Sequence, residues 1–225
     1  MSLKPLDVVY ADTGIVVLNK PSGLLAVPGK TSDLCLSLQV QAQFPDALIV
    51  HRLDMATSGL MVMARGIAAQ RVLNDHFAMR RVHKRYAAIA HGDCRVTRAN
   101  NDTDTDDVWQ AIDLPIIVDW PNRPLRKIDF ETGKPSSTRW RCVAYDEATD
   151  TSRLELEPLT GRSHQLRVHL QAIGHPILGD ALYAPSAIAA ASTRLLLHAT
   201  ELGFAHPSNA EWISFTSPDD FQPSA

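Results

Sequence analysis

The sequence predicts an α+β fold with a largely antiparallel sheet, on three observations. Short apolar runs rich in β-branched residues recur along the chain, each bounded by Gly, Pro, Asp or Asn. Only a few stretches show the three- and four-residue apolar spacing of an amphipathic helix. No internal repeat and no linker long enough to separate domains interrupts this order of many strands and few helices, so a single domain over residues 1–225 is expected.

Taken in order, Val8, Val9 and Tyr10, a turn at Asp12, Thr13 and Gly14, then Ile15 to Leu18 read as a β-hairpin. Lys20, Pro21, Ser22 and Gly23 break the pattern, and Pro28 with Gly29 marks a second loop. Leu34, Leu38 and Ala42 are spaced for a short amphipathic helix that ends before Pro45. Ala47 to Val50 and Leu60 to Ala64 are apolar strand-like runs on either side of a polar turn. A clearer helix follows over about 66–80, with Ala69, Val72, Leu73, His76 and Phe77 on one face.

Tyr86 to Ala90 reads as a small-residue strand closing at His91 and Gly92. The polar, acidic chain from Cys94 to Asp107 is expected to be an exposed loop or insertion. Turns at Trp120–Pro124 and Thr132–Pro135 separate further strands, among them Trp140–Ala144 and Leu154–Glu157. Ser163 is placed to cap a helix over about 164–173, with Leu166, Leu170 and Ile173 inward and Gly174 ending it. Leu195–Ala199 and Trp212–Phe215 supply late strands.

Composition narrows the function. A hydrophobic fraction of 45% and a charged fraction of 21% are those of a water-soluble globular chain, and no apolar run approaches the length of a membrane span. The N-terminus does not open a secretory signal, so a cytoplasmic protein without a membrane partner is expected. Cys35, Cys94 and Cys142 form neither a CxxC pair nor an even disulfide framework, and read as reduced structural thiols. His164 and His169 lie five apart, off one helix face, and no HExxH appears, so no metal site is expected. Neither GxGxxG nor a Walker lysine loop is present, so no nucleotide cofactor is expected either.

A net charge of −3 argues against bulk electrostatic attachment to nucleic acid, but the distribution is uneven. Residues 76–85 carry Arg80, Arg81, Lys84 and Arg85 with no acid, whereas 100–107 carry Asp102, Asp104, Asp106 and Asp107 with no base. A basic segment offset by an acidic stretch elsewhere is compatible with RNA on one face, and equally with a solvated helix end.

One run concentrates chemistry. His51-Arg52-Leu53-Asp54 is followed by Thr57-Ser58-Gly59, and the whole lies between the two apolar runs at 47–50 and 60–64. A carboxylate held there is lifted out of bulk water, a cost tolerable only with a compensating cation or donor. The plain alternative is a turn aspartate that caps the next segment.

Three segments, in this order, resemble the RluA family of pseudouridine synthases: His51–Asp54 with Thr57–Leu60; Lys84-Arg85-Tyr86; and Thr160–His169 continuing to His175–Asp180. Asn19–Leu24 is also typical, and the resemblance covers about residues 7–220. It implies a catalytic fold with a mixed, mostly antiparallel central sheet, flanking helices and a cleft. The chain is expected to lack the S4-like RNA-binding domain of many relatives. The Asp119–Pro124 stretch and the short length look most like members with two substrates, 23S ribosomal RNA and a tRNA anticodon stem-loop. The partner is then RNA, acted on by a monomer without cofactor or metal.

Pseudouridine forms when the bond from ribose C1′ to uracil N1 breaks, the base turns, and C5 joins C1′. Nothing is oxidised and no group is imported. The resemblance gives Asp54 the role of the carboxylate beside the sugar, as nucleophile at C1′ or as base at C2′. Arg167 becomes the cation that keeps it ionised, and Tyr86 the ring that stacks on the flipped uracil and the hydroxyl that handles the C5 proton after rejoining. Arg52 fills the gap left by the extruded base. Leu53 and Leu166 line the pocket, and Thr57, Ser58, Gly59, Arg162 and His164 complete the substrate-binding set. Arg80, Arg81, Lys84, Arg85 and Arg123 are candidate phosphate contacts. Two rival readings are a non-catalytic RNA-binding protein on the same fold, and a hydrolase using Asp54 as nucleophile. The second would need a further carboxylate or base for water, and the motif offers none.

Overall fold

The computed structural model describes residues 5–29, 34–95 and 108–221. The acidic 100–107 stretch lies outside them. In chain order the elements are β1 (Val8–Ala11), β2 (Ile15–Lys20), α1 (Leu36–Gln43), β3 (Ala47–Ile49), β4 (Ser58–Arg65), α2 (Gly66–Ala78), β5 (His83–His91), β6 (Gln110–Asp113), β7 (Ile116–Val118), β8 (Arg126–Ile128), β9 (Ser137–Asp146), β10 (Thr151–Pro158), α3 (Gln165–Ala172), α4 (Ser186–Ala190), β11 (Leu197–Ala205) and β12 (Trp212–Thr216). This is an α+β protein with a mixed sheet and few helices. No helix among the described residues is long and apolar enough to cross a membrane.

The chain divides into two compact units, Met1–Lys84 with His198–Asp219, and Arg85–Leu197 with Asp220–Ala225. Both are assembled from segments distant in sequence, which is why no linker betrays the division.

In the first unit β2 pairs antiparallel with β1 and β4, β3 lies antiparallel on the far end of β4, and β11 runs parallel to β4 at His198–Ser58 and Ala199–Gly59. β12 closes antiparallel on β11. Ile15–Leu18 and Met61–Ala64 are fully buried, so these strands are apolar along their whole length instead of alternating. One set of alternate residues, Ile15, Val17, Leu60, Val62 and Ala64, packs with Ala69 and Leu73 of α2 and with Leu202 and Phe204 of β11. The predicted face of α2 is therefore the buried one.

The predicted helix before Pro45 forms, but on a different face. Leu34 and Leu38 are exposed, while Leu36, Ser37 and Val40 are buried. The isolated bridge between Leu25 and Cys35 ties the chain down just before the helix and sets that rotation.

In the second unit β5, β10, β9 and β6 form a wholly antiparallel sheet, in which Leu154 and Leu156 are fully buried. β7 and β8 make a separate two-stranded ribbon joined across the Trp120–Pro124 turn. Cys94 and Cys142 are buried, free thiols, and desolvation pushes Cys94 up to about 12. Arg95, the next residue, is exposed.

The start of α3 departs from expectation. His164, not Ser163, occupies the cap position, with a left-handed φ of 59°, and no side chain bonds the first turn. The tyrosine contact described below holds that residue in place. Gly174, at φ 90°, ends the helix as predicted.

Candidate active site

Asp54 lies in the turn between β3 and β4, and the surrounding loop is tied down from several directions. Lys20, at the end of β2, is 0% exposed, an extreme degree of burial for an ammonium. Its Nζ donates to the carbonyls of Pro21 at 2.9 Å, Leu24 at 2.8 Å and Met55 at 3.0 Å, so three donors meet three acceptors. The Gly23 N–H also reaches Met55 O, at 2.9 Å, and the Ser22 hydroxyl donates to Ala56 O at 2.7 Å. The 20–24 segment thus grips the backbone of the residues just after Asp54. Within the turn itself, Thr57 N–H donates to Asp54 O at 3.2 Å.

Exposure alternates sharply along this turn. Arg52 and Met55 are exposed, Asp54 is half-buried, and Leu53, Thr57 and Ser58 are buried. The outward side chains are the arginine and methionine that flank the carboxylate. Gly59 has φ +109°, and a Cβ there would stand 2.4 Å from Ala199 O, so only glycine fits. The Ser58 hydroxyl is turned inward, 2.9 Å from His198 Nδ1.

On the other side of the motif, His51 Nε2 accepts the Val62 N–H at 3.0 Å and its ring stacks on Phe77 at 4.5 Å. Burial, with the nearby Lys84 cation second, pushes its pKa down to about 3. His51 is therefore neutral at physiological pH and serves as a fixed acceptor. Lys84 is itself pushed down to about 8 by burial first and by the Arg80 cation second. Arg80 and Arg81 are exposed at the end of α2.

The remaining predicted site residues belong to the second unit. Tyr86 is half-buried on β5, opposite Leu156 of β10. Arg85, beside it, donates to Glu157 at 2.7 Å.

Arg167 on α3 is 4% exposed, and its Nε and Nη2 form a two-pronged pair with Asp180 at 2.8 and 2.5 Å. Asp180 is buried, and its Oδ1 also accepts the N–H groups of Leu182 and Tyr183. These extra donors are what make a buried carboxylate tolerable. The Tyr183 ring lies 5.0 Å from the guanidinium carbon, and its hydroxyl sits 2.6 Å from His164 Nδ1. Arg167, Asp180, Tyr183 and His164 thus form one connected group. Burial raises the Tyr183 phenol above its ordinary range.

Leu166 is buried, whereas Arg162 is exposed. Gln165 and His169 have a structural task. Gln165 accepts from Thr160 Oγ1 and donates to Ser137 O and Thr138 Oγ1. His169 bridges Thr138 Oγ1 and Leu114 O.

Arg52, Leu53, Asp54, Thr57, Ser58 and Gly59 thus share one braced turn of the first unit, and His164 and Arg167 share one polar group of the second. Lys20, Asp180 and His198 are the structural partners to which sequence reasoning gave no role. Each leaves a faint sequence signal. Lys20 follows the apolar run Ile15–Leu18 at the end of its strand, Asp180 ends the His175–Asp180 segment, and His198 interrupts an apolar run.

A family model described as RNA pseudouridylate synthase matches residues 14–172. The chain belongs to this family and is an RNA pseudouridine synthase, an isomerase. It is similar to the dual-specificity RNA pseudouridine synthase RluA of Vibrio parahaemolyticus, with 46% identity over 224 residues, 97% of this chain and 85% of the relative. It is similar also to the protein of the same name from Escherichia coli, 45% identical over 218 residues, 96% of this chain and 94% of the relative. Among solved structures, human RNA Pseudouridylate Synthase Domain Containing 1 matches with a TM-score of 0.79 and 30% identity, covering 99% of this chain and 87% of the human one. Human RNA Pseudouridylate Synthase Domain Containing 4, with a TM-score of 0.71 and 23% identity, has the same fold.

Proposed function

We propose that this synthase modifies uridines in stem-loops of 23S ribosomal RNA and of the tRNA anticodon region, acting as a cytoplasmic monomer with Asp54 as its catalytic carboxylate. The similarity to dual-specificity synthases over nearly the full length of both chains carries the reading of the substrate. Uridines in loops cost least to splay out, which favours such targets.

The braced turn supports the reading of Asp54. A carboxylate that attacks C1′, or removes the C2′ proton, must be presented at a fixed position, and a backbone held by Lys20, Ser22 and Gly23 presents it. The exposed Arg52 is suited to occupy the stack vacated by the flipped base. Arg167 is the cation assigned to that carboxylate, and Tyr86 stacks on the uracil and takes its C5 proton through the hydroxyl after the base has rejoined. Leu53, Leu166, Thr57, Ser58, Gly59, Arg162 and His164 make up the substrate-binding set, Ser58 through its backbone because its hydroxyl is turned inward onto His198. When C5 has joined C1′, the C5 proton leaves and N1 takes up another, so the balance needs neither oxidant nor imported group.

Two measurements test this. Pseudouridine mapping in 23S ribosomal RNA and tRNA from cells with and without the gene is expected to show losses in both classes. Losses in neither class would refute the substrate assignment. Tyr86→Phe and Arg167→Lys are expected to lower kcat by about 10- to 1000-fold with RNA affinity retained; wild-type kcat in both would remove them from the site.

A further inference from the structure

His198 lies near the start of β11, in a stretch where Leu195, Leu197, Ala199 and Leu202 are all buried. An imidazole in such a strand is costly unless both ring nitrogens are satisfied. Both are. Nδ1 lies 2.9 Å from Ser58 Oγ and Nε2 lies 3.1 Å from Ser217 Oγ. His198, Ser58 and Ser217 are each 4 to 5% exposed, so the chain of three groups is dry from end to end.

The position of the first hydroxyl gives the chain its meaning. Ser58 opens β4, four residues after Asp54, and stands in parallel register with His198. One residue on, Gly59 lets the two backbones approach so closely that no side chain can pack between them. The Ser58–His198 bond supplies a directional link at this seam. At the other end, Ser217 is anchored by its own N–H on Thr200 O at 2.8 Å, so the imidazole bears on a fixed support.

We infer that His198 is a positioning residue for the isomerisation, holding through Ser58 the strand end from which the Asp54 turn departs. This rests on the reading of Asp54 as the catalytic carboxylate. Since Asp54 itself is on a turn, small shifts of the start of β4 move it relative to the ribose. A displacement of about 1 Å at a reacting group costs about 100-fold in rate.

Two isosteric substitutions separate the ends of the link. In His198→Asn the amide takes the place of Nδ1, keeping a partner for Ser58 and losing Ser217. In His198→Gln the amide reaches the place of Nε2, keeping Ser217 and losing Ser58. We expect both to lower Tm, but only His198→Gln to lower kcat, by about 10- to 100-fold with KM within about threefold. Ser58→Ala should reproduce that kcat loss, and the Ser58→Ala, His198→Gln double variant should be no slower than either alone. Ser217→Ala should lower Tm and leave kcat unchanged.

Wild-type kcat in folded His198→Gln, or equal slowing in His198→Asn, would overturn the inference by showing a purely structural histidine. Should His198→Gln fail to fold, Ser58→Ala decides, since wild-type kcat there overturns it equally. Asp54→Ala, assayed alongside, tests the underlying reading. Activity in that variant sinks the reading itself, whereas an inactive Asp54→Ala with a fully active His198→Gln sinks only the positioning role.

Discussion

At the scale of single residues, two groups decide whether the turn bearing Asp54 keeps its shape. Lys20 sets a buried ammonium against three carbonyls, one of them that of Met55, directly after the carboxylate. Lys20→Met removes the donors shared by the Pro21, Leu24 and Met55 carbonyls, of which Met55 O keeps the Gly23 N–H. It should lower stability by about 2–3 kcal/mol in urea unfolding and slow turnover, because the partly buried Pro21 and Leu24 carbonyls each lose a charged donor. An unchanged unfolding midpoint would show that the ammonium is dispensable. Gly59 is the second such group. Alanine there meets both a positive φ and the Ala199 carbonyl, so Gly59→Ala should lose about 3 kcal/mol by the same measurement.

Among the elements, α3 and β4 carry the sharpest expectations. Asp180→Ala removes the two-pronged carboxylate partner of the buried Arg167 guanidinium and should cost about 3–5 kcal/mol, read as a fall in thermal midpoint. Against β4, where it accepts the Val62 N–H, His51 is neutral in the fold and titrates only near pH 3, against 6.5 for an ordinary histidine. Between those values the unfolded chain binds a proton that the folded chain refuses, so stability falls as pH drops from 6.5 toward 3. His51→Gln should flatten this acid dependence, and an unaltered profile would contradict it.

The same elements show what the sequence can and cannot disclose. The Val8–Leu18 hairpin, the 60–64 strand and α2 are legible because their signals are local: turn residues, a continuous apolar run, a clean helical face. The burial of Val40 instead of Leu38 is not, because a bridge outside the helix sets its rotation. Nor is the cap at His164, which depends on Tyr183, nineteen residues away. The partners that brace the predicted site are hidden for the same reason. Asp180 lies 13 residues from Arg167, Met55 lies 35 from Lys20, and His198 lies 140 from Ser58. The motif residues are visible in the chain, but the groups that hold them meet only in the fold.

At the scale of the whole molecule, a protein of net charge −3 must hold a polyanion through local cations. Arg80 and Arg81, both exposed after α2, are the cations of the first unit proposed for this role. If each contacts one phosphate, Arg80→Ala and Arg81→Ala should each reduce the slope of log K against log salt by about 1. They should weaken stem-loops of different sequence alike, whereas unchanged slopes would move the phosphate path elsewhere.

The carboxylate on the braced turn is the group proposed to do the chemistry. Tritium release from RNA labelled at uridine C5, followed under single-turnover conditions with Asp54→Asn and with RNA binding measured in parallel, tests it most directly. We expect full binding with no release above background. Release at the wild-type rate by that variant would contradict it.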